Sequence, residues 1–188
     1  GGGARPNFGG GTFQIWEPPL TVSKCSILRH EGDLEDPLKH FKTAKEAYKA
    51  LWTVVRSRDL LFKYNVYAIS ESDYKYAPFM VSCDASTPNT REGLVNAVGI
   101  IDKLKEAIGE QVFVRDDENG SNDPEDIKEF FDKKKTAAKV EEMFKELAGN
   151  DMIGFHLGGE LCNPFPVFMV CKVSPTVIGG VVGAFTWT

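Results

Sequence analysis

Paired cysteines, an excess of positive charge and long apolar runs are all missing from this sequence, and each absence closes off a class of function. The four cysteines, Cys25, Cys83, Cys162 and Cys171, include no C-x-x-C pair, the close spacing that marks structural zinc sites. Three of them sit in apolar runs, which reads as free buried thiols; a Cys162–Cys171 bridge stays open in an oxidising compartment. Lys+Arg number 22 against 27 Asp+Glu, a net charge of −5. That is the reverse of the electrostatic footprint of a nucleic-acid binder, so no direct nucleic-acid contact is expected; a charge of this size is ordinary for solubility. No stretch reaches the roughly 18 apolar residues of a membrane-spanning helix. The longest, Val177 to Phe185, is interrupted by Gly179, Gly180 and Gly183. No transmembrane segment is expected.

Catalytic signatures are equally scarce. The only histidines are His30, His40 and His156. The first two fall in a polar N-terminal stretch, and His156 alternates within a strand-like segment, where a lone histidine is structural more often than catalytic. There is no G-x-S-x-G elbow, H-E-x-x-H pair or P-loop, and Gly158-Gly159-Glu160 is too short to cradle a phosphate. Asp116-Asp117-Glu118 lies in a polar loop with nothing apolar to raise a carboxyl pKa. With Gly120 at the sixth position of a calcium loop, Arg115 falls at the first, where an acidic ligand is needed. The sequence therefore predicts no catalytic residue, no metal site and no cofactor.

What is present fits a globular protein: 188 residues, 42% hydrophobic and 26% charged, enough for one domain with an extension. Residues 1–42 form that extension. Its glycine-rich arm, Gly1 to Gly11, carries aromatic anchors nearby in Phe8, Phe13 and Trp16, which pack either on the chain's own domain or on a neighbouring subunit. A chain that begins at Gly1 and not at Met fits an organellar protein stripped of its targeting segment, or a cytoplasmic one. Thr21–Leu28 reads as a short strand.

Residues 43–188 form the domain. Thr43 with Glu46 has the form of a capping box, and Ala47, Leu51, Val54 and Val55 recur at helical spacing to about Ser57. Leu60–Ile69, with Phe62, Tyr64 and Tyr67, and Phe79–Cys83 read as strands around the turn Ser70-Glu71-Ser72-Asp73-Tyr74. Thr90 caps a helix that carries Leu94, Val95, Val98, Ile101, Leu104 and Ile108, and Gly109 stops it. A short strand follows at Gln111–Arg115. Helices are expected over Glu125–Asp132 and Thr136–Leu147, ended by Gly149 and Asn150, and then three strands, Met152–Leu157, Pro166–Val173 and Val181–Trp187. Strands and helices do not alternate regularly, and the last strands have short connections. The expected class is α+β, a mainly antiparallel sheet flanked by helices.

Two segments resemble the nuclease A inhibitor family, small proteins that block a sugar-non-specific nuclease. The first is the early helix running into Asp59-Leu60-Leu61-Phe62 and then Ile69-Ser70-Glu71-Ser72-Asp73-Tyr74. The second comprises Asp126-Ile127-Lys128-Glu129-Phe130-Phe131, the helix from Ala137 to Leu147, Val170-Cys171-Lys172-Val173-Ser174-Pro175, a glycine pair, and Thr186-Trp187-Thr188. The resemblance runs from about Thr43 to Thr188. It departs from the family in residues 1–42, in the helix near residues 90–109, and in Trp187 before the last threonine. It implies an α-β-α sandwich. It also implies that Glu71 and Thr188, flanked by Ser70, Ser72, Asp73, Tyr74 and Trp187, reach the magnesium site of a nuclease. Magnesium takes hard oxygen ligands and keeps positions open for substrate phosphate. The expected partner is thus a protein: a nuclease or, in the alternative reading, the subunits of a larger assembly that holds this chain as a structural accessory subunit by its N-terminal arm.

Overall fold

A computed structural model describes residues 12–13, 34–35, 37–64, 76–98, 113–115, 135–158 and 165–185. Two short strands, β1 (Thr12–Phe13) and β2 (Leu34–Glu35), pair antiparallel with each other. A single 3-10 turn, Pro37–His40, then leads into helix α1, Ala44–Lys63. Its start is set by Thr43, whose backbone is extended and whose hydroxyl accepts the Glu46 N–H at 3.1 Å. The Glu46 carboxylate accepts the Lys42 N–H at 3.2 Å, closing the reciprocal cap one residue earlier than the standard capping box. Ala47, Ala50, Leu51, Val54 and Leu61 make the buried stripe.

The helix does not stop near Ser57, and Leu60-Leu61-Phe62 is its last turn and not the start of a strand. Two causes explain the difference. Nothing between Ser57 and Lys63 breaks a helix, and leucine favours one. Leu61 also falls seven residues after Val54, on the same stripe. Tyr64 closes the helix, its N–H donating to the Leu60 carbonyl at 3.1 Å.

The remaining elements are β3 (Ala77–Ser82), α2 (Arg91–Val98), β4 (Phe113–Arg115), α3 (Lys135–Ala148), β5 (Ile153–Gly158), β6 (Phe165–Ser174) and β7 (Val177–Phe185). Thr90 caps α2, accepting the Gly93 N–H at 3.2 Å. α3 ends where Gly149 takes a φ of 70°. Five strands form one sheet in the order β3-β7-β6-β5-β4, with every neighbouring pair antiparallel. The expected α+β architecture is the one present. β3, at one edge, carries Pro78, whose missing N–H suits an edge strand.

Both faces of the sheet are buried. On one, Met80, Met169, Cys171, Val173 and Val181 join Ala50, Val54 and Leu61 of α1 and Ala137, Val140 and Phe144 of α3 in a single core. On the other, Phe168 stacks on Phe155 at 5.1 Å and meets Phe79 edge-on at 6.1 Å. The buried Leu94 and Val95 of α2, which lies against β5, are outside the first core and cover this second face. Helices thus lie on both sides of the sheet.

β6 and β7 approach each other closely where Gly180 pairs with Val170. A Cβ on Gly180 would lie 2.0 Å from the Met169 carbonyl oxygen and 2.8 Å from the Val170 Cα, both backbone atoms that cannot step aside. Gly180→Ala should therefore lower the unfolding free energy by more than about 2 kcal/mol, as overpacking does; an unchanged midpoint in urea would contradict this strand approach. Ser57 on α1 presents the opposite case, a fully buried hydroxyl with no hydrogen-bond partner among the described residues. Removing an unsatisfied polar group from a core is neutral or favourable, so Ser57→Ala should hold or raise the thermal midpoint, and a clear loss would show that the hydroxyl is bonded.

Candidate functional site

The register of β3 against β7 organises both ends of the sheet. It pairs Ala77 with Val182 and Ser82 with Val177. Beyond Ser82 the same register continues, since the Cys83 N–H donates to the Thr176 carbonyl at 2.8 Å. Beyond Ala77 the buried Tyr76 ring lies across Gly183, where a Cβ would come within 2.9 Å of Tyr76 Cδ1. Only a residue without a side chain admits the ring there.

The residues singled out for partner binding attach to this Tyr76–Gly183 end. Ser70, Glu71, Ser72, Asp73 and Tyr74 precede β3, and Trp187 and Thr188 follow β7; all seven lie outside the described residues, as do Phe8 and Trp16. Phe13 is in β1, where it pairs with Leu34 of the same chain, and β2 lies near β3.

The opposite end of the sheet is tied down by contacts between residues far apart in sequence. The β6–β7 turn is Pro175-Thr176, and just before it the register shifts at Val173, between the Lys172–Ile178 and Ser174–Val177 pairs. Beside the bulge the Lys172 N–H donates to Asn89 Oδ1 at 3.0 Å. The Lys172 ammonium donates to the carbonyls of Thr87, at 2.7 Å, and Ala85, at 3.3 Å. On the other side of the turn, His40 Nδ1 and Thr176 Oγ1 share a hydrogen bond of 2.8 Å. In the sequence His40 belongs to a polar extension, and neither Asn89 nor Lys172 carries a local signal of its role. No local pattern links His40 to Thr176 or Asn89 to Lys172; only the fold brings them together.

The titratable groups inside the sheet have structural settings. His156 is buried, opposite Val167 on β6 and Arg115 on β4. Cys171 is buried and free, so it takes no part in a Cys162–Cys171 bridge. Burial pushes its thiol up to about 12. Cys83, also free, is half-exposed and not buried. Its thiol is raised chiefly by desolvation, with the Thr87 hydrogen bond and the Lys172 charge acting the other way. Among the described residues no three His, Cys, Asp or Glu side chains gather as a metal site, and no helix is long and apolar enough to cross a membrane. No family model and no curated protein matches the chain.

The Cys171 thiol gives a pH dependence with a definite sign. Its ordinary value is 9.0 and its folded value about 12, so the fold favours the neutral thiol. That contribution is complete below pH 9.0 and is lost as pH rises toward 12, at up to about 1.4 kcal/mol per pH unit. Unfolding free energy measured across this alkaline range should fall less steeply in Cys171→Ala than in the parent protein; identical slopes would remove Cys171 as the cause.

Proposed function

We propose that this chain is a non-enzymatic protein-binding module that blocks a metal-dependent nuclease through Glu71 and Thr188. One observation carries the reading, the β3–β7 register. Glu71 and Thr188 each stand six residues beyond the Ala77–Val182 pair, on the two strands that run out at the same end of the sheet. An extended chain spans at most about 3.5 Å per residue. Glu71 is therefore tethered within about 21 Å of Ala77, and Thr188 within about 11 Å of Phe185.

The chemistry follows from the tether. A carboxylate and a second oxygen donor, both tethered to the same end of the sheet, offer hard oxygen ligands to a magnesium ion that keeps positions open for substrate phosphate. Tethering both to neighbouring strands limits the ordering cost of bringing them to one site. A net charge of −5 also favours approach to a basic nuclease cleft.

The test is inhibition of a sugar-non-specific, magnesium-dependent nuclease by the purified chain. Glu71→Ala should weaken inhibition by about 2–5 kcal/mol, the cost of losing one partner of a desolvated charged contact, and removal of Thr188 should weaken it as well. Equal inhibition by both variants and the parent would end the metal-directed reading. Deletion of residues 1–16 should leave inhibition intact, which separates this module from a subunit held in an assembly by its arm.

A further inference from the structure

A cleft of about 580 Å³ opens between the Pro37–His40 turn, the first turns of α1, the end of α3 and the β6–β7 turn. Its volume lies within the range of small-ligand sites. Phe41 and Leu147, partly buried against the core, and the buried Val173 line it with apolar surface. Among the described residues its charged lining is Lys39, Lys42 and Lys49 with one carboxylate, Glu46, and that carboxylate already accepts the Lys42 N–H. Neither the Lys42 nor the Lys49 ammonium has an ion-pair partner among the described residues.

Two features make this more than a patch of surface lysines. The charge is inverted locally: among the described residues, Lys42 and Lys49 line the cleft beside one carboxylate, Glu46, in a chain whose net charge is −5. The walls are also held in place. His40, on the Pro37–His40 turn, is hydrogen-bonded to Thr176, on the β6–β7 turn, and Thr43 fixes the start of α1. The positive end of the α1 dipole lies at the same rim. A preformed concavity with an apolar lining and a positive rim suits a ligand that is apolar at one end and anionic at the other.

We propose that this cleft binds a small organic anion, its phosphate or carboxylate head held by Lys42 and Lys49 and its apolar body laid on Phe41, Leu147 and Val173. The site is independent of Glu71 and Thr188, which attach to the opposite end of the β3–β7 ladder.

Phenyl phosphate, octanoate, inorganic phosphate and an acidic peptide, each titrated into the full chain by calorimetry, test the proposal. Phenyl phosphate or octanoate should bind saturably at one site, at least tenfold more tightly than inorganic phosphate. Lys42→Gln with Lys49→Gln should weaken that binding at least tenfold, whereas Lys135→Gln, an exposed lysine on α3, should leave it unchanged. Circular dichroism of each variant establishes that it is folded. Three results would overturn the proposal: equal affinity for phosphate and phenyl phosphate, equal weakening by Lys135→Gln, or saturable binding of the acidic peptide alone.

Discussion

The β6–β7 hairpin is the constraint on which the rest of the molecule depends. These two strands lie in the interior of a five-stranded sheet, and both of their faces are buried. Each therefore contributes large side chains to both cores: Met169 and Val181 toward α1 and α3, Phe168 and Val182 toward the side covered by α2. Burial of a side chain of this size contributes about 1.5–3 kcal/mol. The strands can meet only because Gly180 offers no Cβ to the Met169 carbonyl. Glycine at this position weakens intrinsic strand propensity, and the close approach of two backbones is what that loss permits.

The hairpin also fixes what lies around it. At its turn, His40 binds Thr176 from one side, and the Cys83 N–H binds the Thr176 carbonyl from the other. Next to the bulge at Val173, the Lys172 N–H binds Asn89, which anchors the segment leading into α2. Val173 itself lines the cleft beside α1. At the other end, Tyr76 over Gly183 carries the β3–β7 register one step past the ladder, and this sets where the chain enters and leaves the sheet.

Much of this was legible locally. Thr43 with Glu46 announced the start of α1, and Thr90 that of α2, because capping is a chemistry of neighbours. Gly149 marked the end of α3 for the same reason. The last three strands were recognisable as near-continuous apolar runs, although β7 begins at Val177 and not at Val181. Local signals failed at Leu60-Leu61-Phe62, whose apolar, aromatic character suits a strand as well as a helix. There the stripe begun at Ala47 decided the outcome, since Leu61 could join the core only by continuing the helix. The proposed partner-binding residues Glu71 and Thr188 were legible only through resemblance to a family; from local chemistry the first is part of a polar turn.

The sequence by itself determined the α+β class, the caps and most of the elements, because these depend on propensity, periodicity and contacts within a few residues. The pairing of β3 with β7, the burial of both sheet faces and the meeting of His40 with Thr176 were decided by the tertiary structure. Each rests on contacts between residues tens of positions apart, whose closeness follows from how the whole sheet is assembled. The same holds for the cleft: Lys42 and Lys49 come from α1, Leu147 from α3 and Val173 from β6, and no stretch of the chain contains them together.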